Sequence, residues 1–146
     1  MQLYILDKNP IISASLVPDK YKFKMLIELG QLLAGAGITD VYKPVKQGKE
    51  LQTWVSEYCD YTYSYFDKLL RWSKSHVNMQ SETLNKLEQI GFDLADSIGK
   101  VAGKEPTHAY FRYAKEYSCS VASKTLLPIE YCIAEYKKYL EWKVGV

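Results

Sequence analysis

Arginine is almost missing from this chain: among 19 basic residues, only Arg71 and Arg112 carry a guanidinium. Arginine is the side chain suited to bidentate contact with phosphates and base edges. Its scarcity, with a net charge of only +2, argues against a reader of duplex DNA. Histidine is as scarce, with His76 and His108 far apart. The three cysteines, Cys59, Cys119 and Cys132, have no CxxC spacing, and their odd number argues against a disulfide framework. So few soft and imidazole ligands make a poor zinc site, and no metal or other cofactor is expected. No run approaches the ~20 apolar residues of a membrane span. The N-terminus, Met1-Gln2-Leu3-Tyr4-Ile5-Leu6-Asp7, lacks the basic start and long apolar stretch of a signal peptide. The expected setting is the cytoplasm, with reduced thiols. There is no G-x-S-x-G, no P-loop and no H-E-x-x-H. No repeat, low-complexity tract or linker interrupts the sequence.

What is present has the make-up of a globular domain. The 146 residues, 47% hydrophobic and 25% charged, suit one domain over 1–146 with one core. The 13 tyrosines are the compositional excess. Tyrosine joins a large apolar ring to a polar tip, which suits interfaces and pockets. A lysine- and tyrosine-rich coding bias explains the same count, and both readings stand.

Periodicity predicts an all-α fold, a helical bundle with one short N-terminal strand. The strand is the apolar run 3–6, ended by Asp7-Lys8-Asn9-Pro10. A short helix is expected over 10–17. A second runs over 20–34, with Asp19 as its N-cap and Gly35-Ala36-Gly37 as its stop. The longest helix is expected over 49–75, where Trp54, Tyr58, Tyr61, Tyr65, Leu69 and Trp72 form one stripe at helical spacing. A third long helix is expected over 82–101, capped by Ser81. Residues 108–117 read as a short helix, 118–127 as a loop, and Pro128 as the first turn of a last helix. The aromatic girth of 49–75 exceeds what one small core needs. Self-association follows, as a two-fold dimer or a higher homo-oligomer.

Two polar patterns could carry function. Lys20, Lys24, Glu28 and Gln31 recur at i, i+4, i+8 and i+11, within about a quarter turn of one helix. Two lysines, a carboxylate and an amide could hold a phosphate and a polar ring; they could also be a solvated face with an i,i+4 ion pair. The second pattern is 104–115, where Lys104, His108, Arg112 and Lys115 alternate with Tyr110, Phe111 and Tyr113. Aromatic rings interleaved with cations hold bases and phosphates without a sequence code. A surface amphipathic helix would look the same.

The segments Leu3-Tyr4-Ile5-Leu6-Asp7…Pro10, Asp19-Lys20…Lys24-Met25…Glu28…Gln31, Tyr42-Lys43 and Trp54 resemble a family of short, largely uncharacterised bacteriophage proteins. The spacing agrees from Asp7 through Trp54, and 128–143 is similar to the family's C-terminal Pro-x-x-Tyr-Lys region. The departures are chemical. The family's cysteine falls at Pro18 and a histidine at Tyr21. The two histidines of a His-x-x-His segment fall at Lys46 and Lys49. Groups able to ligate a metal or shuttle a proton are thus replaced. Groups able to bind are kept: Asp19, Lys20, Lys24, Glu28, Gln31, Lys43 and Trp54.

The resemblance implies a divergent member that has lost chemistry and kept a pocket. The expected function is a phage-type binding protein, not an enzyme, in the host cytoplasm. It would capture a small phosphate-bearing, nucleotide-like molecule and so sequester a host immune signal. The expected site is Asp19, Lys20, Lys24, Glu28 and Gln31, with Lys43, Trp54 and Arg112 nearby and no catalytic or metal-binding residue. Two other classes stay open: an enzyme or accessory factor acting on DNA or nucleotides, and a protein–protein antagonist of a host factor.

Overall fold

The computed structural model describes residues 2–99, 103–112 and 125–145. Six helices and one small sheet follow in the order α1 (Pro10–Leu16), α2 (Asp19–Gly35), α3 (Lys49–Glu57), α4 (Cys59–His76), α5 (Ser81–Ile98), β1 (His108–Phe111), β2 (Thr125–Pro128) and α6 (Ile129–Val144). The fold is mainly α, with α4 packed against α1, α2, α3 and α5. One buried apolar cluster draws on all of these helices and on β1.

The four predicted long stripes become helices, with corrections at their ends. Pro18, not Asp19, is the N-cap of α2. Asp19 lies inside the first turn, where its carboxylate accepts from Lys22 Nζ at 2.7 Å. Ser81 is likewise the first helical residue of α5, behind Gln80. That helix ends at Ile98, and the end expected at 101 lies outside the described residues. The helix expected over 49–75 is broken at Tyr58, whose φ of −114° and ψ of 55° close α3 and open α4. No proline or glycine marks the break. It brings Trp54 edge-on to Tyr61 with ring centroids 5.7 Å apart, so rings from both helices share one core. Trp54, Tyr61 and Tyr65 are each buried.

The expected N-terminal strand is not a strand. Residues Leu3, Tyr4, Ile5 and Leu6 are buried and outside any helix or strand, and among the described residues no strand pairs with them. A buried backbone must still bond, and side chains do it. Tyr65 Oη donates to Tyr4 O at 2.9 Å, Tyr61 Oη donates to Asp7 O at 2.6 Å, and Leu6 N donates to Ser13 Oγ at 2.8 Å. Part of the tyrosine excess thus serves as backbone solvent inside the core.

The helix expected from 108 is also corrected. His108–Phe111 pairs antiparallel with Thr125–Pro128, Ala109 opposite Leu127 and Phe111 opposite Thr125. Residues 125–127 of the expected loop are therefore strand, while 113–124 lie outside the described residues. Burial alternates as a strand requires: Ala109 and Phe111 are inside, and His108, Tyr110 and Arg112 turn outward.

Candidate ligand groove

The lysine stripe of α2 opens onto a small cleft, and its members have different surroundings. Lys20 is exposed, with its ammonium 5.2 Å from the Tyr21 ring centre. Asp19 is exposed and tied to Lys22. Lys24 and Glu28 line a cleft of about 10 Å³ beside Tyr4 and Lys143, room for about one water. Burial holds the Glu28 carboxyl above its usual range, against the pull of Lys24 and Lys143. Gln31 is partly buried. Lys43 opens onto a different depression of about 680 Å³, formed by the loop after α2 and Asp93. There Thr39 Oγ1 and Gln89 Nε2 both donate to the Asp93 carboxylate, at 2.7 and 2.9 Å. A third cavity, about 840 Å³, lies where Lys8 and Glu130 pair at 2.6 Å; its charges of both signs are largely self-compensating.

A fourth surface brings cations and rings together. It is the groove between α3 and β1. One end, about 390 Å³, is walled by Lys46, Lys49, Glu50 and Arg112. The other, about 270 Å³, is walled by Glu50, Glu57, Tyr58, His108 and Tyr110. Glu50 lines both, so the two lie end to end along α3. Along them β1 runs against the direction of α3: Arg112 lies by the helix start, and His108 and Tyr110 by its last two turns. Three cations face one carboxylate at the first end, and that end is net positive.

Both walls are tied down by hydrogen bonds. Trp54 Nε1 donates to His108 O at 2.8 Å. Tyr136 Oη donates to Tyr110 O and accepts from Arg112 N, each at 3.1 Å. Gln2 Nε2 donates to Arg112 O at 2.9 Å. On the helix side, Gln52 Nε2 donates to Val45 O at 3.0 Å and Gln47 O at 2.9 Å, which fixes the loop bearing Lys46. Gly48 caps α3 at φ 73°, a left-handed conformation that suits glycine and turns Lys49 into the groove.

Of the expected site residues, only Trp54 and Arg112 meet here. Trp54 is 4% exposed, so its ring belongs to the core and only an edge reaches the groove. The rings of Tyr58 and Tyr110 are half-buried on the groove, with the Tyr58 ring centroid 5.0 Å from that of Trp54. Tyr110 and Arg112 belong to the aromatic–cationic segment 104–115 noted in the sequence, and strand geometry sets them side by side. Lys46 and Lys49 were not in the expected site. Their signal was indirect, since they occupy the two positions where the resembled family has histidines.

Among the described residues, no cluster of three or more His, Cys, Asp or Glu side chains could hold a metal ion, and no helix is long and apolar enough to cross a membrane. Compared with family models, curated proteins and solved structures, the chain finds no match.

Proposed function

We propose that the chain binds a small phosphate-bearing, nucleotide-like molecule in the α3–β1 groove. The observation that carries this reading is the alternation of β1, which sets His108, Tyr110 and Arg112 on one outward face along α3. Phosphate lies at the Lys46–Lys49–Arg112 end, where lysines act as point charges and the arginine as a fork. The base lies between the rings of Tyr58 and Tyr110, a contact worth about 1–3 kcal/mol per base in single-strand binders. The resemblance to bacteriophage proteins supports the biological role: capture of a nucleotide signal of host defence, with the ligand held and not turned over. The chain is also proposed to self-associate.

Calorimetry with nucleoside monophosphates tests the site. The Lys46→Ala/Lys49→Ala double variant is expected to weaken binding at least about tenfold, or about 1.4 kcal/mol. Lys24→Ala, on the α2 stripe, is expected to change it little. The reverse pattern would move the site to α2. Ligand recovered unchanged after denaturation separates a binder from an enzyme. No nucleotide binding at all would favour the protein–protein antagonist.

A further inference from the structure

The rings around Lys143 are arranged as a holder for an ammonium. Lys143 Nζ stands 4.6 Å from the ring centre of Tyr21 and 5.6 Å from that of Tyr139, both inside the ~6 Å reach of a cation–π contact. It also donates to Tyr4 Oη at 3.4 Å. Tyr4 Oη donates its own proton to Gln2 Oε1 at 3.0 Å, so toward the ammonium its oxygen only accepts. Glu28 lines the same cleft and feels the Lys143 charge, but among the described residues it makes no hydrogen bond and no ion pair. The holder stands without its occupant. Tyr4 is 3% exposed and Tyr139 is fully buried; Tyr4 packs edge-on to Tyr136 at 5.5 Å and Tyr139 edge-on to Phe111 at 6.4 Å. Lys143, by contrast, lies on the last turn of α6, which ends at Val144, and helix ends fray. Among the described residues no carboxylate bonds its ammonium.

We propose that this cage is a binding site for a primary alkylammonium, filled by Lys143 as a tethered stand-in. It is separate from the α3–β1 groove and does not depend on that groove being a nucleotide site. A ligand enters when the last turn of α6 opens and Lys143 swings out. The space left beside Lys143, about 10 Å³, holds no second ammonium with its tail. Three features set what the cage takes. The faces of Tyr21 and Tyr139 call for a cation. Tyr4 Oη and Glu28 accept, so they favour a nitrogen that carries N–H bonds over a fully methylated one. Lys24 lines the cleft and Lys20 Nζ lies 5.2 Å from the Tyr21 ring centre, so a second positive charge on the ligand is repelled. The ligand class is a monoamine with an alkyl tail, either free or carried as a lysine side chain by another molecule.

The experiment is calorimetry of butylammonium chloride into the full chain and into Lys143→Ala, after circular dichroism confirms the helix content of the variant. Lys143→Ala is expected to bind at least about tenfold tighter than the parent, because the tethered competitor is gone. Tetramethylammonium and diaminobutane are expected to bind more weakly than butylammonium, and butanol not at all. Adding Tyr21→Leu to Lys143→Ala is expected to remove the gain. Acetyl-lysine methylamide separates the sources: tighter binding than butylammonium assigns the cage to a lysine on another molecule, and weaker binding to a free amine. If Lys143→Ala loses helix content, the parent decides, since excess butylammonium is expected to speed amide exchange at Val144 and Gly145 relative to sodium chloride of equal strength. No gain in a folded Lys143→Ala, a gain that survives Tyr21→Leu, equal binding of butanol, or unchanged exchange in the parent overturns the cage.

Discussion

The backbone N–H of Arg112 donates to the hydroxyl of Tyr136 at 3.1 Å, and the same hydroxyl donates onward to Tyr110 O at 3.1 Å. This closes an edge. Ile129 N bonds Thr107 O across the hairpin at 2.9 Å. With Ala109 opposite Leu127, the backbone groups of His108, Tyr110 and Arg112 must point away from β2. An open strand edge invites foreign pairing. Here Trp54 takes the carbonyl of His108, Tyr136 takes the carbonyl of Tyr110 and the N–H of Arg112, and Gln2 takes the carbonyl of Arg112. The rings that seal the edge also fix the side chains on the groove.

Tyr136→Phe keeps the ring and deletes the hydroxyl. Two backbone groups then lose a partner, and the expected loss is about 1–3 kcal/mol of stability, read as a lower urea midpoint. Amide exchange at Arg112 should accelerate, and nucleotide binding should weaken because Arg112 and Tyr110 lose their anchor. An unchanged midpoint and unchanged exchange would show that the hydroxyl holds nothing.

Alkali should unfold the chain cooperatively. Burial pushes the phenols of Tyr4, Tyr61, Tyr65 and Tyr136 far above their ordinary value of 10.0, and burial with the Glu135 charge pushes the Cys132 thiol from 9.0 up to about 12. Below about pH 8 folded and unfolded chains both keep these protons, and stability does not depend on them. Above it the unfolded chain releases protons that the folded chain retains, so stability falls with rising pH. The fall continues to about pH 12 for Cys132 and beyond that for the tyrosines. Urea midpoints at pH 7, 9, 10 and 11 check this. A flat series would mean that the rings are not buried.

Lys22 is a buried ammonium that closes a helix. It is 6% exposed, and Nζ donates to Ser15 O at 3.2 Å, Val17 O at 2.7 Å and Asp19 Oδ1 at 2.7 Å, with the Trp72 ring 5.3 Å away. These carbonyls lie at the end of α1, where the intrahelical ladder runs out. Lys22→Met preserves bulk and removes three donors, and it should cost about 1–3 kcal/mol. Asp19→Ala should cost less, because that carboxylate is largely in water. Denaturation of the two variants side by side gives the ranking, and equal losses would refute it.

Helical spacing made α2, α4, α5 and α6 legible because their apolar stripes are long. The break at Tyr58 was not, since neither proline nor glycine marks it and the reason is tertiary: Trp54 must meet Tyr61. Residues 108–112 fit a helical and a strand period alike. What decides between them is β2, Trp54 and Tyr136, all distant in sequence; the Trp54–His108 bond spans 54 residues. The α2 stripe was visible as a pattern, but only packing reveals that Lys24 and Glu28 open onto one water's worth of space. The groove needed α3 and β1 side by side, and no local pattern announces that.

Self-association should run through α1 and not through the aromatic helix. Of the rings expected to drive it, Trp54, Tyr61 and Tyr65 are buried within the chain, and Tyr58 and Trp72 are half-buried. On α1, Ile11, Ser15, Ile12 and Leu16 span about 140° of arc at 100° per residue. Ile11 is 51% exposed, Ile12 46% and Leu16 48%, while Ser13 and Ala14 on the opposite side are fully buried. The helix thus packs its small side chains inward on α4 and shows its large aliphatic ones. Such a surface gains most when a second copy covers it, and a two-fold axis lets one patch serve as its own complement. Sedimentation at micromolar concentration should find a dimer. Ile11→Ser/Leu16→Ser should yield a monomer with unchanged circular dichroism and unchanged nucleotide affinity, because α1 is not part of the α3–β1 groove. A parent that sediments only as monomer refutes the association. A dimer that survives both substitutions places the interface elsewhere.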